Sequence, residues 1–170
     1  MNLRAQFQSL LNQYGHYVLL LRKDNTKKCS CWNDSYGTAD KTCHHCLGLG
    51  YLFTLEKIKV RTRLASSRPE TVARIVRSLP PADILIESRL FFTFYNVTAQ
   101  SGDLIITVDW NGDRPIIGDY TVVYEVGYTE PERGSHGRIE FMKIFCKADP
   151  VEHTFRLQDI IARYNAEHAS

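Results

Sequence analysis

Leu3, Phe7, Leu10, Leu11 and Tyr14 recur at the spacing of one helix face, and Gly15 follows as a C-cap residue. The pattern predicts an amphipathic helix over about residues 3–14. His16-Tyr-Val-Leu-Leu-Leu-Arg22 is then an unbroken apolar run of strand length, which predicts a buried strand, with a turn at Asp24-Asn25. Lys57 to Leu64 alternates without interruption. Lys57, Lys59, Arg61 and Arg63 share one face of a predicted strand, and Ile58, Val60, Thr62 and Leu64 the other.

The second half continues the strand pattern. Val72, Ile75, Val76 and Leu79 fit a helix with Pro69 in its first turn, and Pro80-Pro81 ends that segment. Ile84–Tyr95 reads as an aromatic-rich strand, Gln100–Asp103 as a turn, and Leu104–Trp110 as a strand. Asn111-Gly112 is a hairpin signal. Tyr120–Val126 and Arg138–Cys146 are further strands, with loop expected at Gly127 and from Pro131 to Gly137. Leu157, Ile160, Ile161 and Tyr164 mark a C-terminal helix of about ten residues. Short strands broken by turns at this spacing predict a mainly β (α+β) fold. The expected architecture is a small antiparallel β-barrel or sandwich with N- and C-terminal helices. We read residues 1–170 as one domain, with residues 24–54 as an inserted metal-binding loop between the first strands.

That loop carries the chemistry. Cys29-Ser-Cys31-Trp32 is followed, after a short spacer, by Cys43-His-His-Cys46-Leu-Gly48-Leu-Gly50. Two close cysteine pairs match a structural zinc site, in which four thiolates about 2.3 Å from the metal occupy tetrahedral corners. Glycines after a Cys-x-x-Cys pair permit the backbone turn of a knuckle. The single residue between Cys29 and Cys31 is shorter than usual and alters the turn geometry. The expected ligands of one structural Zn2+ are Cys29, Cys31, Cys43 and Cys46. Two disulfides are one alternative, and a redox Cys-x-x-Cys another, although that motif normally opens a helix. His44 or His45 as a ligand would strain so short a knuckle, so solvent exposure is expected for both. Lys27, Lys28 and Lys41 flank a centre of net charge −2; they either stabilise it or are ordinary surface lysines. Cys146 lies in an apolar strand and reads as a core thiol.

Composition narrows the class. With 44% hydrophobic and 24% charged residues the chain reads as a water-soluble globular protein. No apolar run approaches the roughly 20 residues of a membrane span, and the start lacks a signal-peptide core. Net charge is +2, but unevenly spread: residues 1–64 hold ten Lys or Arg and four Asp or Glu, and residues 65–170 eleven and fifteen. A basic part and an acidic part suit head-to-tail stacking of copies or contact with a polyanion. The face formed by Lys57, Lys59, Arg61 and Arg63 suits phosphates or an acidic partner, or is the wet face of an antiparallel strand. Asp103, Asp109, Asp113 and Asp119 cluster along one strand–turn–strand region, where turns favour aspartate and carboxylates also bind hard cations. No nucleophile elbow, phosphate loop, dinucleotide fingerprint or His-Glu-x-x-His motif is present, and a four-cysteine site has no open position for catalysis. The expectation is a non-enzymatic protein.

Two resemblances follow from these motifs. Cys43-His-His-Cys46-Leu-Gly48-Leu-Gly50 resembles the Cys-x-x-Cys-x-Gly-x-Gly repeat of the J-domain chaperones. Those carry four repeats and this chain one, without a His-Pro-Asp tripeptide, so the likeness is convergence on one knuckle. The second resemblance covers the layout of the chain. It runs from the N-terminal helix ending in Tyr14-Gly15 and the apolar strand ending in Arg22 to the cysteine insertion. It continues through Gly102-Asp-Leu-Ile-Ile106, Tyr120-Thr-Val-Val123 and Gly137-Arg-Ile-Glu-Phe141. This order resembles the small neck, or head-closure (stopper), proteins of long-tailed bacteriophages. The resemblance implies a β-barrel subunit of a homo-oligomeric ring between a portal or adaptor protein and a tail or tail-terminator protein. It implies a virion location after synthesis in the host cytoplasm, and leaves room for non-specific contact with packaged DNA. A nucleic-acid-binding zinc module and a tail or baseplate completion protein are the alternative readings.

Overall fold

In the computed structural model, the described residues are 2–64, 88–148 and 156–168, with Leu64 described by its backbone. The helix expected between residues 66 and 82, and the first residues of the strand expected from Ile84, lie outside them. The chain begins with α1 (Leu3–Tyr14), capped by the Asn2 side chain, which accepts the Ala5 N–H. Six strands follow in one antiparallel sheet: β1 (His16–Lys28), β4 (Tyr51–Leu64), β5 (Ser88–Phe94), β6 (Leu104–Thr107), β9 (Val122–Arg133) and β10 (Ile139–Ala148). Their spatial order is β1-β4-β5-β10-β9-β6, and β6 pairs back onto β1, which closes the sheet into a barrel. Two small hairpins, β2–β3 (Trp32–Asn33 and Thr38–Ala39) and β7–β8 (Asp109–Asn111 and Arg114–Ile116), stand outside it. The chain ends in α2 (Leu157–Glu167).

The apolar run of β1 has a physical reason. Strand residues alternate between faces, and here both faces are covered. Val18 and Leu20 point into the barrel with Ile58, Val60, Phe91, Ile105, Tyr124 and Ile144. Leu19 and Leu21 point outward, into a second layer with Leu55, Leu104, Ile106 and Val123. Leu157, Ile160, Ile161 and Tyr164 of α2 belong to that layer, so the C-terminal helix covers the outside of β1 and β6. Inside the barrel, Phe91 meets Tyr124 edge-on at 5.4 Å, and Cys146 is buried as a core thiol, its pKa raised well above the ordinary range by burial.

Three element boundaries differ from the sequence pattern. β1 does not turn at Asp24-Asn25 but continues to Lys28, its pairing with β4 shifting register between Lys23 and Lys28. The segment between the strands is therefore Cys29–Gly50, a hairpin tip closed by the Cys29 N–H donating to the Gly50 carbonyl (2.9 Å). The strand expected over Leu104–Trp110 breaks at Val108, and its second part forms the β7–β8 hairpin through Asn111-Gly112, where Gly112 has φ +63°. β9 runs on through Gly127 and Pro131, both expected to be loop. Among the described residues it pairs beyond Val126 with β10 alone, and a proline is tolerated where one side of a strand lacks a partner.

α1 lies against β4 and β10. Phe7 stacks on Phe141 at 4.3 Å. Arg4 lies 3.8 Å from the centre of the Tyr95 ring and donates to the Ile139 carbonyl. Glu140 is 3% exposed and takes two hydrogen bonds from Arg138 (3.0 and 3.1 Å), with Arg4 at 3.9 Å. The Arg138 bonds, then its charge and that of Arg4, hold the Glu140 carboxyl below its ordinary pKa against the opposing effect of burial.

Candidate metal centre

The hairpin tip brings together Cys29, Cys31, Cys43 and Cys46. Their four sulfurs lie within 4.8 Å of one another. Cys29 Sγ and Cys43 Sγ are 3.7 Å apart, Cys31 Sγ and Cys46 Sγ 3.4 Å. A disulfide needs about 2.05 Å, so both pairs are unbonded thiols. Tetrahedral thiolates about 2.3 Å from one metal would stand about 3.8 Å apart. The donor set therefore fits a tetrahedral metal ion.

Local backbone explains how the tip reaches this shape. The Trp32 N–H donates to the Cys29 carbonyl (2.9 Å), which turns the short Cys-x-Cys pair back on itself. In the second pair the N–H groups of Cys46 and His45 point at the Cys43 sulfur. Leu47, Gly48 and Gly50 take positive φ of 51°, 78° and 80°. The glycine at 50 is required twice over, because a Cβ there would fall 2.7 Å from the Trp32 ring. That ring is held on another side by Tyr51, at 5.4 Å, and has Lys28 Nζ 5.2 Å from its centre.

The electrostatics favour a cation. The backbone N–H of Cys46, followed by that of His45, holds the Cys43 thiol down at about 6. Burial, and then the neighbouring thiols, push Cys31 up to about 12, and burial raises Cys46. Several sulfurs this close cannot all carry charge unaided, whereas a divalent ion makes four thiolates compatible. His44 and His45 are exposed, and neither belongs to the converging set. Of the flanking lysines, Lys27 pairs with Asp24 (3.4 Å) and Lys28 with Asp34 (2.6 Å), while Lys41 is exposed.

The predicted basic face is not part of this centre. Lys57 Nζ bonds Asp113 (2.7 Å) and lies 4.5 and 4.4 Å from the Tyr17 and Trp110 rings. Lys59 Nζ donates to the Asn12 carbonyl in the last turn of α1 (3.0 Å), where the helix end attracts a cation. Arg61 lies 5.7 Å from the Tyr14 ring and is exposed, as is Arg63. The opposite residues Ile58 and Val60 are buried, as the alternation predicts. Lys57–Asp113 and Arg4–Glu140 also join the basic part of the sequence to the acidic part within one chain.

The four aspartates do not converge on one point, although Asp109 and Asp119 line the same cavity beside Trp110. Asp103 is buried and accepts the N–H groups of Lys23 (2.9 Å) and Gln100 (2.7 Å), tying a turn to β1. Asp113 serves Lys57, and Asp109 packs against Gly118. Among the described residues, no other set of His, Cys, Asp or Glu side chains converges as the four cysteines do. No helix among them is long and apolar enough to cross a membrane.

The surroundings of the centre hold residues that spacing did not single out. Arg163 of α2 donates to the His45 carbonyl (2.8 Å) and lies 4.3 Å from the centre of the Phe53 ring. It is 118 residues away from His45 in sequence, so no local pattern points to it. In the sequence Trp32 is marked only as the aromatic after Cys31. No protein family matches this chain, and no curated protein matches it either.

Proposed function

We propose that this chain is a non-enzymatic structural subunit of the head-to-tail connector of a long-tailed bacteriophage. It assembles as a ring that closes the head and offers a platform for the tail. The observation that carries the structural, non-enzymatic part of this reading is the closed set of four cysteines at a hairpin tip; the connector part rests on the resemblance in layout. A metal bound by four thiolates keeps no position for substrate or water and serves folding. Zinc suits that all-sulfur tetrahedral geometry.

The barrel agrees with the layout that gave the resemblance to neck proteins. It is a closed sheet with a four-cysteine extension at one hairpin and helices at both chain ends. Exposed Tyr36 on the β2–β3 hairpin and Ile116, Ile117 and Tyr120 around β8 are side chains suited to contact with neighbours. The neighbours of the ring are a portal or adaptor protein on one side and a tail or tail-terminator protein on the other. Charge segregation along the sequence is a weaker support than the sequence alone suggests, because some of those charges pair within the subunit.

Imaging of intact particles tests the reading. The chain is expected in closed rings on the axis between head and tail, with one zinc per subunit by elemental analysis. Its absence from particles would end the connector reading, and folded, reduced protein without metal would end the zinc assignment.

A further inference from the structure

We propose that the metal knuckle is also the latch of the C-terminal helix: metal loading and docking of α2 on the barrel are one coupled equilibrium. This rests on metal binding at the four cysteines, but not on the connector role. Two features of the knuckle carry it, the His45 carbonyl and the Leu47 side chain. Arg163 Nη1 donates 2.8 Å to the carbonyl of His45, inside the Cys43–Cys46 turn. The same guanidinium stacks over Phe53 and is steadied by Glu167 (2.8 Å), so it is held for that bond. Leu47, the residue after Cys46, is 7% exposed and lies in the apolar layer with Leu157, Ile160, Ile161 and Tyr164.

The backbone at Leu47 makes the last contact informative. Its φ of +51° is a left-handed conformation that costs a leucine more than a glycine. A knuckle that only had to turn under a metal would be better served by glycine there, as it is at Gly48 and Gly50. Leucine instead adds an apolar side chain to the layer that includes the buried face of α2. The metal holds the Cys43–Cys46 turn, and the turn presents the His45 carbonyl to Arg163 of α2 and the Leu47 side chain to the apolar layer that α2 joins. Without the metal, both contacts are lost together. The layer formed by Leu19, Leu21, Leu104, Ile106 and Val123 then loses part of its cover. Coupling of this kind is reciprocal, so anything that frees α2 must weaken the metal by the same factor.

Amide hydrogen exchange on the full chain, with zinc bound and after chelation, tests the coupling. Chelation should speed exchange in residues 157–167 together with 29–50, while the β5 and β10 amides keep their protection. Loss of protection confined to the loop would overturn the proposal. If the barrel amides also open, zinc affinity of Arg163→Ala, measured by chelator competition, decides. A roughly tenfold weakening is expected from the lost hydrogen bond and ring contact, and unchanged affinity would overturn the proposal. Stoichiometry measured on the same samples keeps this outcome separate from a failure to bind metal at all.

Discussion

Replacing Gly50 with alanine tests how closely the metal loop is packed, and Gly37→Ala in the same loop is its control. Both glycines sit at positive φ, +80° and +63°. A side chain in that conformation costs about 1–2 kcal/mol, of which about 0.4–1 kcal/mol returns because alanine restricts the unfolded chain. Gly37→Ala should therefore lose about 1 kcal/mol, since nothing lies within 4 Å of its added Cβ. At Gly50 the same atom would fall 2.7 Å from two ring carbons of Trp32 and 3.2 Å from Ala39 Cβ. The ring cannot easily withdraw, because Tyr51 packs 5.4 Å from its centre. Forcing a methyl group into a filled site costs about a further 1–3 kcal/mol. Folding of such a loop is coupled to metal binding, so the difference should appear in zinc affinity. At 1.4 kcal/mol per factor of ten, Gly50→Ala should bind zinc about 5- to 150-fold more weakly than Gly37→Ala. Competition with a chromophoric chelator measures both, and thermal unfolding of the zinc-bound proteins should rank them alike. Equal losses in the two variants would refute the packing of Trp32 on the knuckle.

Three further outcomes are expected. Glu140 has a lowered pKa in the folded protein, so its contribution is fully present above its unfolded value of about 4.3 and is lost as pH falls through the lower folded value. Acid unfolding of Glu140→Gln should thus lack part of the stability loss that the parent shows between those two values; parallel losses in parent and variant across the acid range would refute the role given to Arg138 and Arg4. Cys146→Ser should leave zinc content unchanged and lower stability by about 1–3 kcal/mol, because a hydroxyl replaces a thiol inside the barrel; loss of zinc by elemental analysis would contradict the ligand set. The isolated chain should bind DNA weakly, with a shallow dependence on salt, because Lys57 and Lys59 are held by Asp113 and the Asn12 carbonyl; tight binding with a steep salt slope would favour the nucleic-acid reading instead.

Much of the local structure is legible in the sequence, as is the set of four cysteines that converge. Apolar residues at helical spacing mark α1, which runs Leu3–Tyr14 as expected, and alternation places Ile58 and Val60 inside the barrel. Two close cysteine pairs imply one cluster because chelation is a short-range property of spacing, and the fold brings those four sulfurs together. Tertiary structure decided what each face meets. The run Val18–Leu21 signals burial, but only closure of the sheet and docking of α2 assign Val18 and Leu20 to one core and Leu19 and Leu21 to another. Pro131 reads as a breaker locally and is tolerated because, among the described residues, that part of β9 pairs on one side only. Lys57 looks like a free cation in a strand pattern and becomes part of a packed group with Asp113, Tyr17 and Trp110. Arg163 carries no signal at all until the fold sets it beside His45. Periodicity records which side of an element avoids water; pairing register and long-range packing choose the partner, and neither is encoded in any window of neighbouring residues.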